Sequence, residues 1–355
     1  MRISPEHIPV DFEFHESWWH KNFGINFNKW YYFDADYRVK IDREMRKFLY
    51  EKYGYLGLGE KDPEPQPIID FGCVTLPALF GCEVVFSPDS SSFAGNLELS
   101  KEKIERLKIP DIKNSFPLKQ ITQQMDYLEK KYGFVCGDLD WDGCLNMGLH
   151  LRGYHLFEDF YDNPFLVYKV LTIATGTMIK VVNYIKGRTG TSSTAVTPII
   201  ADVNPELNVT SNCTVTMISE EQYKKFIFEH DKFLAKKLPP FGVHHCGSDA
   251  ERFAPIYAQL ESLKFFEAGW GSNIKECRKI LGPSMHLNAR LSPVRLKECP
   301  KGEIIQDTTE LIDQGSPLQT FSISVMGIEF DIPDENIEGV VETVQKLGII
   351  SKNLD

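Results

Sequence analysis

A (β/α)8 TIM barrel is the fold class that the sequence predicts, on three observations. From about residue 68 onward, short apolar runs of strand length alternate with segments of helical spacing, the pattern of a parallel sheet covered by helices. No Gly-x-Gly-x-x-Gly loop follows any of these runs, which argues against an open dinucleotide-binding sheet. The 355 residues suffice for one large barrel with a complete core.

The elements follow in order. Residues 1–67 stand apart, with Trp18, Trp19, Phe23, Phe27, Trp30, Tyr31, Tyr32 and Phe33 crowded together without clean periodicity. A proline-rich connector, Glu60 to Pro67, follows. This segment is expected to form an aromatic-rich cap on a catalytic barrel of residues 68–355, its rings serving as core. Phe134–Asp138 and Ala195–Ala201 are predicted as buried strands. Between them a helix over 163–186 starts at Pro164, whose fixed φ suits a first turn, and stops at Gly187. Ser219-x-x-Gln222 is a capping box that opens a helix ending near Lys236. Then come a strand at 240–246, a helix at 249–262, a strand at 264–268 and a helix at 273–281 closed by Gly282. Strands at 284–288 and Thr320–Val325 precede a last helix, Asp334–Leu347.

Composition narrows the function. Lys and Arg total 39 against 50 Asp and Glu, a net charge of -11 with no basic cluster, so nucleic acid is not an expected partner. The N-terminus lacks a charged-then-apolar signal pattern and no apolar run approaches a membrane span, so a cytoplasmic protein with no membrane partner is expected. Eight scattered cysteines lack the density of a disulfide framework and are expected to be reduced. The sequon at Asn208-Val-Thr210 is then without consequence. Homo-oligomer formation is left open.

The stretch Phe241-Gly-Val-His-His-Cys-Gly247 carries the most chemistry. On a strand, side chains two apart share a face, so His244 and Cys246 converge while His245 faces away. An imidazole with a thiolate is a ligand mixture that zinc favours, and few further protein ligands would leave a coordination position open for substrate. The same residues also fit a strand end that buries a histidine and a free thiol.

Several motifs extend the pattern: Leu151-Arg-Gly153, Glu158 to Pro164, Ile200-Ala-Asp202, His244-His-Cys-Gly247, Gly269-Trp-Gly271, Leu281-Gly282, Leu287 to Pro293 and Asp334-Glu-Asn-Ile337. In this order they resemble the uroporphyrinogen decarboxylase superfamily over residues 68 to 350, and His-x-Cys-Gly resembles its corrinoid-dependent methyltransferase branch. The Arg-Gln-Ala-Gly-Arg element by which true uroporphyrinogen decarboxylases grip their substrate is not found. The resemblance implies a barrel that binds zinc through His, Cys and a second Cys on the last strand. It further implies methyl transfer between a small methylated compound, or a thiol, and the cobalt of a separate corrinoid protein.

At the position of that second cysteine stands Met326, a poor zinc ligand, which leaves Glu329 or Asp331 as carboxylate candidates. Metal ligands His244, Cys246 and Glu329 are therefore expected, with Glu329 also assisting catalysis. Zinc short of one thiolate is more electrophilic and suits an oxygen leaving group. The sequence thus points to O-demethylation of a methoxylated, aromatic substrate by a zinc enzyme that hands the methyl group to a corrinoid protein. Methanol, methylamine or methylthiol donors, a methylcorrinoid:thiol methyltransferase and a metal-free decarboxylase of the same barrel are the alternatives. Asp202, at a predicted strand end, is expected to be a pocket acid or a helix N-cap. Trp270, Asn288 and Arg290 follow later strands and are expected near substrate, Arg290 holding a carboxylate or phenolate or else an internal ion pair. Asp138-x-Asp140-x-Asp142-Gly143 imitates half of an EF-hand loop, but Leu149 replaces its final Glu; these acids are expected at the barrel mouth.

Overall fold

The computed structural model describes residues 6–137, 139–140, 142–191 and 198–350. Its centre is a six-stranded parallel sheet. The strands are β1 (Val10–Phe14), β4 (Asn208–Ser211), β5 (Phe241–His245), β6 (Leu263–Ala268), β7 (His286–Leu291) and β8 (Phe321–Ile328), in the spatial order β1-β8-β7-β6-β5-β4. A separate antiparallel ribbon joins β2 (Val84–Val85) to β3 (Phe93–Ala94). Single parallel bridges, Asp142 to Ser211 and Ile68 to Cys136, carry parallel pairing beyond β4 to two more positions. The result is a curled half-barrel; among the described residues no pairing closes a full eight-fold ring.

Register explains which residues face inward. Ser211, His244, Glu267, Asn288 and Ser322 are aligned across β4 to β8, so they form one row on one face of the sheet. All five are buried. The opposite face, with Val243, Phe266, Leu287 and Phe321, packs beneath the helices that connect the strands. Parallel strands covered on both sides read as nearly continuous apolar runs, and Phe241–His245 is buried at every position. A small second core of Ile199, Ile200, Leu207, Val209 and Phe265 fills the inside.

Several predicted elements recur with shifted ends. The helix Pro164–Thr189 is capped by Asn163 and ends at Gly190, in the left-handed conformation that glycine tolerates, and not at Gly187. The Ser219 capping box is present, and the last helix runs Asp334–Leu347. The strand expected at 195–201 is a correction. Residues 195–197 lie outside the described residues, and Ile199–Val203 is a helical turn that follows Pro198, whose φ of -59° belongs to that turn. The strand is Asn208–Ser211, and the Asn208 amide donates to Leu238 O at 3.0 Å, which lets a polar residue be buried there.

The N-terminal segment supplies β1, which pairs in parallel with β8. Trp18, Trp19, Tyr31 and Tyr32 are buried in the main core, whereas Trp30 is exposed. The expectation that no apolar run approaches a membrane span is corrected: by length and composition the helix Pro164–Thr189 is apolar enough to cross one, but most of it is buried against the rest of the protein, as in a core helix.

Candidate metal centre

Three ligand atoms converge at the C-terminal end of β4 and β5. Cys213, His244 and Cys246 offer two sulfurs and one nitrogen, all within 4.8 Å of one another. Their meeting follows from register. Ser211 is paired with His244, and Cys213 and Cys246 each stand two residues beyond those partners on the same face. Gly269 allows the loop after β6 to pass against this turn, because any side chain there would collide with the Cys246 carbonyl.

His244 is fully buried, and its Nδ1 lies 2.9 Å from the Glu267 carboxylate. Nε2 is buried without a hydrogen-bond partner and is the ring nitrogen free to ligate. A carboxylate behind a ligating imidazole fixes the ring's orientation and raises its basicity. Arg290 ties the arrangement together: its Nε is 3.6 Å from Glu267 and its Nη1 donates to the Cys246 sulfur at 3.6 Å.

Charge in the cluster is polarised. Burial opposes a cation at His244, but the Glu267 charge and the neighbouring Cys246 outweigh it and raise the imidazole to about 9. The neighbouring Cys213 and His244 side chains, with the positive charges of His244 and Arg290, hold the Cys246 thiol far below its ordinary value against burial. The hydrogen bond to Cys246 and burial push Cys213 well above it. Cys246 is therefore the sulfur most disposed to be a thiolate, and metal uptake would release protons from Cys213 and His244. A nitrogen without a partner, two sulfurs and a carboxylate behind the imidazole fit zinc.

Behind the sheet a buried network holds the residue before Cys213. Asn212 donates to Asp231 at 2.7 Å, and Tyr223 and Cys144 also donate to that carboxylate. Burial raises Asp231 to about 6, opposed by these three donors. Tyr223 opens a π-helical turn, Tyr223–Ile227, a local widening that often accompanies functional sites.

His244 and Cys246 stand together, but Glu329 does not join them. Gly327, at φ 70°, bends the last residues of β8, and Glu329 and Asp331 emerge half-exposed beside Lys297, at 3.5 and 2.7 Å. Met326 is buried, on the face shared with Ser322 and Ser324. The expectation of Glu329 as metal ligand and catalytic helper is thus corrected to this extent: Lys297 holds it on the solvent side, away from the cluster, and the third candidate ligand atom beside His244 and Cys246 is the Cys213 sulfur. Exchanges Glu329→Gln, Asp331→Asn and Met326→Leu are expected to leave bound zinc near the wild-type amount by elemental analysis. Metal loss in any one of them would reinstate β8 as a ligand source.

Asp202 lies on the helical turn Ile199–Val203, partly buried. Burial raises the Asp11 carboxyl, and the charges of Asp202 and Glu267 raise it further, so three carboxylates share the interior. Asn288 is fully buried, with its amide engaged by Ser322 and Ser324 at 2.7 and 2.9 Å, which makes it a fastener of the barrel interior. Arg290 makes the internal ion pair and also lines, with the half-exposed Trp270, a separate cavity of about 330 Å³. Asp142 reaches the mouth through its bridge to Ser211, while Asp138 lies outside the described residues. Sequence reasoning missed Cys213, Glu267 and Asp11. A carboxylate inside the apolar run Leu263–Ala268 was a legible signal for Glu267, since buried charge is rare unless paired.

The family assignment follows from sequence as well as shape. The chain belongs to the uroporphyrinogen decarboxylase (URO-D) family, whose family model matches residues 66–347. Its fold is similar to that of a methyltransferase from Methanosarcina mazei, with a TM-score of 0.67 and 14% identity over 97% of this chain and 95% of that one. No curated protein sequence is a significant match.

Proposed function

We propose that this chain is a zinc-dependent methyltransferase that moves a methyl group between a small sulfur compound and the cobalt of a separate corrinoid protein. The observation that carries this reading is the convergence of Cys213, His244 and Cys246 at the strand ends. The similar fold of a methyltransferase supports the class of reaction.

The choice of sulfur comes from the donor set. An aromatic methyl ether was the expected donor because Met326 left the site one thiolate short, with Glu329 as its substitute. Cys213 restores a second sulfur. Two thiolates and a neutral imidazole balance the charge of a zinc dication, which makes it softer and less electrophilic than a thiolate-poor site. Bound there, zinc would keep a substrate thiol deprotonated near neutral pH. Glu267 holds the His244 ring, Arg290 holds the Cys246 sulfur, and the strand ends leave the cluster facing the mouth that a corrinoid partner must reach.

Zinc-loaded protein with methylcobalamin standing in for the corrinoid protein gives the test, read as loss of methylcobalt absorbance on adding 2-mercaptoethanol. Thiol-dependent demethylation of the cobalt, abolished in Cys246→Ala, is expected. If methoxyaromatics instead methylate Co(I) and thiols do nothing, the ether reading is right. If a zinc-free preparation releases carbon dioxide from a carboxylated substrate, the protein is a decarboxylase.

A further inference from the structure

A cavity of about 250 Å³ opens beside the cluster, lined among others by Asn96, Asp142, Asn146, Leu149, His150 and Thr214. Thr214 directly follows Cys213, and Asp142 is bridged to Ser211, the strand partner of His244. One wall of the cavity is therefore built from the residues that place the ligands.

The wall is rigid. Asn146 donates to Asp142 Oδ1 at 3.2 Å and to Ser211 O at 3.0 Å, and its own oxygen accepts from Thr214 N and Oγ1 at 3.1 and 2.6 Å. With Asn146 fully engaged, two polar atoms are left over. Asp142 Oδ2 and His150 Nδ1 are both buried without a hydrogen-bond partner. His150 Nε2 approaches Asp142 Oδ2 at 3.5 Å, an ion-pair distance without hydrogen-bond geometry. A buried carboxylate oxygen left without a donor costs free energy that an incoming N–H group would recover. Neither lysine nor arginine lines the cavity among the described residues, so it offers no fixed cation to a carboxylate or sulfonate.

We propose that this cavity receives the ammonium end of the substrate, with Asp142 as its carboxylate partner, so that the substrate class is a small amine-bearing thiol or its methyl thioether. The volume suits a compound of a few heavy atoms, below the usual range for drug-sized ligands. The sulfur half of this inference rests on the proposed methyl-transfer reading; the ammonium half does not.

Calorimetry on zinc-loaded protein with matched probes separates the two. Cysteamine is expected to bind ~10-fold more tightly than 2-mercaptoethanol, the advantage of one charge-assisted hydrogen bond, and mercaptoacetate more weakly than either. Asp142→Asn, which keeps a partner for Asn146, should erase the cysteamine advantage while zinc content and 2-mercaptoethanol affinity stay unchanged. Equal affinity of the wild-type protein for cysteamine and 2-mercaptoethanol, or preference for mercaptoacetate, overturns the proposal. Propylamine, which has no sulfur, should still bind in an Asp142-dependent way if the metal reading fails; its failure to do so would overturn the ammonium site itself. Should Asp142→Asn not fold, the wild-type preference among the three thiols decides alone.

Discussion

Exchanging Cys213 for alanine is expected to strip the protein of zinc. Of the three ligand atoms, this sulfur is the one contributed from β4's end, and without it His244 and Cys246 remain as a pair on one strand. Two protein ligands bind zinc far more weakly than three, so the loss should exceed the ~10- to 100-fold that removal of an outer partner causes. Cys213 is only partly buried and the substitution removes one sulfur, so the fold should persist. Elemental analysis after dialysis against a weak chelator measures the effect, and Co(II) substitution adds a second readout through its thiolate charge-transfer band. Retention of one zinc per chain in Cys213→Ala would show that the metal is held without β4.

Glu267→Gln is expected to produce the second-largest change, and its sign depends on pH. In the metal-free protein His244 titrates at about 9, above its ordinary 6.5, with the Glu267 charge among the causes that raise it. A raised folded value means that the charged ring contributes stability in full below about 6.5 and loses that contribution as pH rises through about 9. Zinc needs the neutral ring, so its uptake strengthens over the same interval. Removing the carboxylate charge lowers the His244 value and lessens proton competition near neutrality, while the ring loses the partner that orients it. The expected result is a ~10- to 100-fold loss of zinc affinity at pH 9, narrowing toward pH 7, together with a flatter pH dependence. Zinc titrations across that range decide it. Parallel curves for wild type and variant would mean that Glu267 does not govern the imidazole.

How much of this was legible in the sequence depended on whether a residue's partner lay nearby in the chain. His244 and Cys246 could be placed on one face because two residues of strand separate them, and the capping box at Ser219 is a local pattern. Cys213 could not be joined to them. Its convergence depends on the register between β4 and β5, and β4 itself is the polar stretch Asn208–Ser211, whose composition carries no apolar strand signal although every residue is buried. Met326 misled in the opposite direction. It stands at the position where the family resemblance implies sulfur, and its neighbours in sequence, Glu329 and Asp331, are carboxylates, whereas the second sulfur near His244 and Cys246 is that of Cys213, beyond the end of β4. Asn288 and Arg290 are expected from sequence to follow a strand and stand near substrate; both lie within β7, where pairing with β8 ties the first to Ser322 and Ser324 and pairing with β6 brings Glu267 to the second.

The pairing of β1 with β8 gives the protein a particular biography during synthesis. Val10 finds its neighbour Ile323 only after synthesis has passed through all the intervening strands, so β1 leaves the ribosome long before its partner exists. Until then β1 and the free edge of β7 are open templates for wrong partners, a hazard that sheet edges carry in any incomplete fold. The ligand triad has the opposite schedule. Cys213, His244 and Cys246 lie within one strand-helix-strand unit that is finished well before β8. A zinc ion captured at that stage would pin β4 beside β5 and give the unfinished sheet an anchored end from which the later strands are added in order.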